Sequence, residues 1–284
     1  MFGQRSLFDL ILYTNVWIAL AAMSMVFQTQ LLIGDLRLWN NHLAGFVFFS
    51  TIFVYTFHRL IGTHLFIDDK PGARFFLYLN HPRIMTGLAL GALLTSLLFF
   101  LNLSRQSQIQ LLLPAACTLL YMMPMWKGQR LRDLPMIKIL AIAIVWSWVT
   151  VWIPFTDDGN VLKGTWLLFI EKLFFIIGIT IPFDIRDRRP DQEQGVQTLA
   201  TVLSLRHIRW LMSLCFVVAM VFTVFAMEFE LYDLQQGVSI LVFYLLALVL
   251  SLKARENCHD YYFSGVLDGL IILQFVFVFA FTSA

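Results

Sequence analysis

The chain has 284 residues, of which 59% are hydrophobic and only 13% are charged. About a quarter of the residues in a soluble globular domain are charged, so this composition excludes a water-soluble fold and indicates a membrane domain. The formal net charge of +2 is too small to indicate a nucleic-acid partner. We therefore expect a single polytopic all-α membrane domain over residues 1–284.

Nine apolar segments are long enough to be membrane-spanning helices. Such a helix needs about 20 mainly apolar residues, because it rises about 1.5 Å per residue through about 30 Å of hydrocarbon. The first segment is too long for a signal peptide and lacks a clear small-residue cleavage site. The nine predicted helices cover residues 8–33, 43–62, 83–102, 109–125, 136–155, 165–184, 209–227, 236–252 and 264–282.

The distribution of basic residues predicts which side of the membrane each loop occupies. If nine helices alternate across the bilayer, 16 of the 20 lysines and arginines lie on the side of the N-terminus. Basic residues accumulate in cytoplasmic loops. We therefore predict an integral protein of a bacterial inner (cytoplasmic) membrane, with its N-terminus in the cytoplasm and its C-terminus outside.

Two predicted cytoplasmic segments carry polar and basic residues. The second predicted helix ends in VYTFHRLIGTHLFIDD, which contains His58 and Arg59. The fourth is followed by YMMPMWKGQRLRDLP, which contains Tyr121, Lys127 and Arg130.

Three further charged residues inside predicted helices are candidates for a function: Glu171, Lys172 and Asp268. Glu171 and Lys172 lie about two turns from the outer end of the sixth helix, where an intramembrane charge suggests function. Lys172 can instead extend outward to water, and a structural role for both residues is open. Asp268 lies about one turn inside the ninth helix, where it either faces a central chamber or pairs with Lys253 or Arg255.

The sixth helix leads into the acidic sequence IPFDIRDRRPDQEQGVQTLA. Asp184, Asp187 and Asp191 are three and four residues apart, so a continuing helix would place them on one face. Three carboxylates repel one another unless a cation lies between them, and Mg²⁺ prefers oxygen ligands that it shares with phosphates. Pro190 should weaken or end the helix before Asp191. In the alternative interpretation, three arginines neutralise a solvated helix end: Arg186, Arg188 and Arg189.

These segments resemble the UbiA superfamily of intramembrane prenyltransferases, over nearly the whole chain. The family's second aspartate-rich motif, DxRDxxxD, is matched by Asp184, Arg186, Asp187 and Asp191. The GxxTL sequence that follows it in the family is matched by Gly195, Thr198 and Leu199, with Ser204 where the family often has glycine. The family's segment after the fourth helix is matched by Tyr121, Pro124 and Lys127, and SGVLDGLIIL resembles the start of its last helix.

The first aspartate-rich motif of the family, NDxxDxxxD, has no match here. Tyr55, Thr56 and Arg59 stand where the asparagine and the two leading aspartates are expected, and Asp68 and Asp69 come later. One half of the family's two-magnesium site is therefore altered.

The resemblance implies a nine-helix bundle whose cytoplasmic loops cap a central chamber. It implies transfer of an isoprenyl group from its diphosphate to a lipophilic or aromatic acceptor within membrane lipid, with Mg²⁺ as cofactor. The implied catalytic and metal-binding residues are Asp184, Asp187 and Asp191, and the implied substrate-binding residues are His58, Arg59, Tyr121, Lys127, Arg130 and Arg186. The alternative is a catalytically inactive UbiA-like scaffold or lipid-binding protein, and a transporter is disfavoured because the polar groups cluster at one membrane face.

Overall fold

The computed structural model describes residues 7–65, 75–122, 124–126, 129–130, 137–156, 164–193 and 195–282. These residues are almost entirely helical, which confirms the predicted all-α class. Within them the single sheet is a short antiparallel pair, β1 (Pro124–Trp126) and β2 (Gln129–Arg130).

The first half of the chain contains seven helices in the described ranges. They are α1 (Leu7–Tyr13), α2 (Val16–Leu32), α3 (His42–Leu65), α4 (Phe76–Asn80), α5 (Pro82–Leu101), α6 (Arg105–Gln110) and α7 (Leu112–Met122). The second half contains α8 (Ile137–Ser147), α9 (Ile153–Thr156), α10 (Thr165–Glu193), α11 (Leu199–Val202), α12 (Leu205–Glu228), α13 (Leu234–Leu252) and α14 (Asp268–Thr282). A π-helical segment, Trp148–Trp152, joins α8 to α9, and a second, Tyr261–Leu267, precedes α14.

The predicted count of nine spanning helices is not confirmed. In the described ranges, seven continuous helices are long and apolar enough to cross a membrane, and an eighth is added if α1 and α2, bent by 67°, form one span. The fourth predicted helix is divided at Leu111 into α6 and α7, which are too short to be counted. Among the described residues, helical structure nevertheless occurs within each of the nine predicted segments.

Helix α10 is longer than predicted and runs through two prolines, Pro182 and Pro190. A proline removes one helical N–H, and Pro190 stands so close to the C-terminal end that little of the helix depends on that bond. The prediction that Pro190 ends the helix before Asp191 is therefore wrong. Pro182 has no N–H to donate to the carbonyl of Gly178, and a Cβ on Gly178 would approach the ring of Phe216 to 3.0 Å.

The long helices form a ring around a central space. Helix α2 packs between α3 and α14, and the ring continues through α13, α12, α10 and α8. The π-helical segment Trp148–Trp152 contacts α2 and closes the ring. On the outer surface, α5 exposes Leu94, Leu98 and Leu101 by 62%, 63% and 64%, as expected of side chains that face lipid.

A buried polar network ties α10 to its neighbours. Glu171 is fully buried and accepts hydrogen bonds from the hydroxyls of Tyr232, at 2.7 Å, and Tyr244. Burial raises the pKa of Tyr232 well above its ordinary value, so its hydroxyl remains a donor. Lys172 is also buried and its Nζ donates to Oε1 of Gln274 at 3.2 Å. Of the alternatives left open for Lys172, extension to water is excluded, and both charges have structural partners.

Candidate functional site

A cavity of about 200 Å³ lies inside the ring of helices. Its walls come from α1, α2, α3, α8, α10 and the last helical span, so segments distant in sequence meet there. Its polar wall carries five charged residues: Arg59, Lys138, Arg186, Asp187 and Asp268. Its apolar wall includes Ile18, Ile142, Trp146, Ile176, Ile179 and Ile271.

The charged residues share one end of this cavity. Along α10, the lining residues run from Asp187 to Ile176, a distance of about 16 Å at 1.5 Å per residue. Along α8, they run in the same sense from Lys138 to Trp146. The cavity therefore has a charged head and an apolar shaft, which is the shape of an amphiphile with an ionic headgroup.

Arg59 is held at the charged end by the break between α1 and α2. Its Nη1 donates to the carbonyl of Tyr13 at 3.3 Å, and its guanidinium lies 5.7 Å from the ring centroid of Tyr78. The hydroxyl of Tyr78 donates to the same carbonyl at 3.0 Å. Because the helix breaks after Tyr13, this carbonyl is available to side chains from other parts of the chain.

Asn15 makes that break possible. Its φ of 65° is left-handed, a conformation that asparagine adopts more readily than most residues. Its Nδ2 donates to Oγ1 of Thr56 at 3.0 Å and to the hydroxyl of Tyr78 at 2.9 Å. Three positions depart from the first aspartate-rich motif. Thr56 and Arg59 are hydrogen-bonded to the break between α1 and α2. Tyr55 lines the cavity.

Asp184 forms a buried ion pair with Lys138. Nζ of Lys138 lies 2.7 Å from Oδ1 of Asp184, whose side chain is only 2% exposed. The sequence analysis did not identify Lys138 as a site residue. The sequence feature that could have indicated it is a single lysine directly before the apolar run ILAIAIVW of α8.

Asp187 forms a two-point ion pair with the neighbouring residue, Arg186. Nε and Nη2 of Arg186 donate to the two carboxylate oxygens at 2.8 and 2.9 Å. The guanidinium lies 5.2 Å from the ring centroid of Phe183 and 5.3 Å from that of Phe263, and these two centroids are 5.9 Å apart, so two neighbouring rings contact it. Asp268 lines the cavity and interacts electrostatically with Arg186 and Arg59, which supports the chamber-facing interpretation.

The three predicted metal ligands lie on one helix but differ in surroundings. Asp184 and Asp187 have the cationic partners described above, and Asp191 lies one turn beyond Asp187 near the end of α10. Arg188 and Arg189 contact Glu256, at 3.5 and 3.1 Å. The predicted neutralisation by arginine therefore holds for Asp187, which pairs with Arg186. Arg188 and Arg189 pair with Glu256 instead.

A second cavity, of about 180 Å³, adjoins the first. It shares Tyr55, Ile142 and Trp146 with the first cavity, and His58 and Tyr121 line it with their ring centroids 6.4 Å apart. The remaining lining residues are Val54, Cys117, Thr118, Ala141 and Val145. Predicted substrate-binding residues therefore divide between the two cavities, with Arg59 and Arg186 in the first.

Two predicted substrate-binding residues have no described side-chain position. Lys127 lies outside the described residues, as do Asp68 and Asp69. Arg130 belongs to β2, and its side chain is likewise outside the description.

The present arrangement of carboxylates does not fit a magnesium ion. Among the residues that the structure describes, no three histidine, cysteine or acidic side chains are grouped to hold a metal. A cation bound by Asp184 and Asp187 would lie close to Lys138 and Arg186. Two unit charges about 4 Å apart interact by about 4 kcal/mol at an effective dielectric constant of about 20, and a divalent ion doubles this repulsion.

Comparison with solved structures identifies the fold. A UbiA homologue from Archaeoglobus fulgidus bound to GPP and Mg²⁺ has a TM-score of 0.67 and 11% identity, over 97% of this chain and 100% of that one. A UbiA homologue from Aeropyrum pernix K1 has a TM-score of 0.62 and 12% identity, over 98% of both chains. A structure of digeranylgeranylglyceryl phosphate synthase has a TM-score of 0.59 and 14% identity, over 98% of this chain and 100% of that one.

These similarities show the fold, and they confirm the resemblance to the UbiA superfamily at that level. The A. fulgidus homologue is also known bound to DMAPP and Mg²⁺. No protein-family model matches this sequence, and no curated protein matches it. The chain is thus an integral membrane protein with a UbiA-like fold, and its site must be interpreted from its own residues.

Proposed function

We propose that the protein is a membrane prenyltransferase that moves an isoprenyl group from its diphosphate to a lipophilic or aromatic acceptor. The observation that carries this proposal is the form of the first cavity, in which three cations and the carboxylates of Asp187 and Asp268 stand at one end of an apolar shaft. An isoprenyl diphosphate has the complementary form, a multiply charged headgroup on a hydrocarbon chain. The solved UbiA homologue with GPP supports the same class of substrate.

The proposed reaction breaks the bond between the allylic carbon and the diphosphate oxygen. The electron pair leaves with pyrophosphate, the acceptor forms a bond to the allylic carbon, and the acceptor then releases a proton. Arg59 and Arg186 bind the diphosphate and stabilise the charge that develops on the leaving oxygen. The rings of Phe183 and Trp146 line the same cavity, where aromatic faces attract a developing carbocation.

The second cavity is the proposed acceptor site. Its lining is mainly apolar, which suits a lipophilic molecule that enters from membrane lipid. His58 and Tyr121 supply polar contacts there, and the shared residues Tyr55 and Trp146 bring it next to the prenyl-binding cavity. Lys127 and Arg130 remain proposed diphosphate ligands on the strength of the sequence resemblance.

Magnesium binding by Asp184, Asp187 and Asp191 remains a prediction for this chain. The solved homologues contain Mg²⁺, but here the carboxylates of Asp184 and Asp187 have cationic partners. No step of the proposed reaction is therefore assigned to a metal. The same ion pairs favour the second candidate function, an inactive UbiA-like scaffold or lipid-binding protein.

Binding of an isoprenyl thiodiphosphate analogue to the purified protein tests the proposal. We expect the parent to bind, and Arg59→Ala to bind about ten- to a hundredfold more weakly, because a charge-assisted contact to phosphate contributes about 1.5–3 kcal/mol. Arg206→Ala is the matched control, since Arg206 is exposed at the start of α12. If the parent binds no analogue with or without Mg²⁺, the scaffold function replaces the enzyme.

A further inference from the structure

We propose that Lys138 takes the place of one magnesium ion in the second aspartate-rich motif, so that the protein binds a diphosphate group without requiring a metal. This inference rests on the proposed function, because it concerns how the same cavity holds the same headgroup. It assigns a binding role to a residue that the UbiA-like motifs in the sequence do not include.

The position of Lys138 carries the inference. Its ammonium group contacts Asp184 at 2.7 Å, and the lysine also lines the first cavity beside Arg186 and Asp187. A magnesium ion in this motif would connect a carboxylate to a phosphate oxygen. Lys138 already stands between Asp184 and the cavity, and its ammonium has three N–H donors with which to make that connection.

On the other side of the cavity, a protein cation stands where the family motif would have a metal-binding acid. Arg59 stands where the first motif would have an acid, and it is anchored to the carbonyl of Tyr13. Arg186 is held at the charged end by its two-point ion pair with Asp187 and by the neighbouring rings of Phe183 and Phe263. Side chains on α3, α8 and α10 therefore bring three protein cations to the proposed headgroup position, which also holds the carboxylates of Asp187 and Asp268.

Lys138 and a divalent ion would compete for Asp184. The side chain of Lys138 is 16% exposed, so its flexible stem has room to turn its ammonium toward a ligand in the cavity. A divalent ion could reach Asp184 only after Lys138 moved away. Removal of the lysine charge should therefore increase the dependence of diphosphate binding on magnesium.

The test measures binding of geranyl thiodiphosphate to the full chain in detergent or nanodiscs, once in EDTA and once in excess Mg²⁺. We expect the parent to bind in both buffers with dissociation constants within threefold of each other. Lys138→Met should bind at least tenfold more weakly in EDTA, and Mg²⁺ should restore part of that loss. Lys253→Met removes the same charge from an exposed position outside both cavities and should behave as the parent.

Each outcome decides the inference. It is overturned if the parent binds only with Mg²⁺, or if folded Lys138→Met binds in EDTA as tightly as the parent. If Lys138→Met does not fold, the parent in the two buffers still tests whether diphosphate binding requires a metal, and a requirement for Mg²⁺ overturns the inference. Absence of binding in both buffers is a separate result, because it defeats the proposed function as well.

Discussion

The carboxylate of Asp184 has Lys138 as its close cationic partner, and water contributes little there because the side chain is only 2% exposed. The pair joins α8 to α10 just beneath the charged end of the first cavity. Removal of one member leaves the other as an uncompensated charge in a poorly hydrated place. The Lys138–Asp184 ion pair therefore contributes both to the stability of the bundle and to the proposed binding site.

The first prediction concerns Asp184→Asn, which keeps the shape of the side chain and removes its charge. We expect a loss of about 3 kcal/mol, seen as a fall in melting temperature of roughly 5 °C or more, because the Lys138 ammonium loses its buried partner. Asp35→Asn is the control, since Asp35 pairs with Arg37 at an exposed position where an ion pair contributes about 0–1 kcal/mol. Equal melting temperatures for Asp184→Asn and the parent would contradict the importance of the buried pair.

The motif residues of the candidate site and the neutralising role of Arg186 could be predicted from sequence, but the partner of Asp184 could not. The spacing of Asp184, Asp187 and Asp191 correctly placed them on one continuous helix. Lys138 lies 46 residues away from Asp184 along the chain. Which helix packs against α10, and in which rotation, depends on side-chain packing throughout the bundle rather than on any local pattern.

At the scale of helices, the break between α1 and α2 converts an apolar N-terminal segment into part of the site. The break frees the carbonyl of Tyr13 for Arg59, and Asn15 fixes its geometry through its left-handed backbone and two side-chain hydrogen bonds. Composition predicted one uninterrupted helix over residues 8–33. The mean hydropathy of the segment does not reveal that the backbone is left-handed at Asn15.

The second prediction separates the two contributions of Asn15. Asn15→Gly keeps the left-handed backbone and removes both hydrogen bonds, so we expect lower stability and weaker analogue binding through a less constrained Arg59. Asn15→Ala should be less stable than Asn15→Gly by about 1 kcal/mol, because alanine is strained at positive φ. Melting temperatures of the parent and both variants measure the difference. If the alanine variant is as stable as the glycine variant, the backbone contribution is absent.

The third prediction concerns the polar network around Glu171 on α10. Glu171→Leu leaves the hydroxyls of Tyr232 and Tyr244 without their acceptor, so we expect a marked fall in melting temperature, equivalent to about 2–5 kcal/mol. Analogue binding by the folded fraction should change less than threefold, because Glu171 lines neither cavity. Glu228→Leu makes the same change at an exposed helix end. A selective loss of analogue binding at unchanged stability would instead show a functional role.

For the whole molecule, we propose that residues 1–284 form one domain with the charged end of the first cavity toward the cytoplasm. The ring of helices from α2 to α14 supports one domain, because both ends of the chain contribute to its closure. The excess of basic residues on the predicted cytoplasmic side supports the orientation.

The fourth prediction tests that orientation with single cysteines. In a variant whose three native cysteines are replaced by alanine, a cysteine at position 39 or 235 should react with an impermeant maleimide added outside intact cells. A cysteine at position 253 should react only after the membrane is opened. Trp39 is 87% exposed between α2 and α3, so its replacement should not disturb packing. The opposite labelling pattern would reverse the orientation.

The architecture was more predictable than its details, because bilayer thickness imposes a length on every spanning helix. That physical constraint located helical structure in all nine predicted segments. It gave no information about the division at Leu111, where a local turn separates α6 from α7. It also gave none about the continuation of α10 through Pro190, where a single missing hydrogen bond near a helix end is tolerated.

The Gly178–Pro182 step in α10 divides this long helix into two parts with different mechanical roles. The part before it is fixed to α14 and to the tyrosines of the Glu171 network, and the part after it carries Asp184 and the charged end of the cavity. With one backbone hydrogen bond missing at Pro182, bending stiffness is lowest between them. The Lys138–Asp184 ion pair therefore holds the headgroup end to α8 just beyond the step where α10 resists bending least.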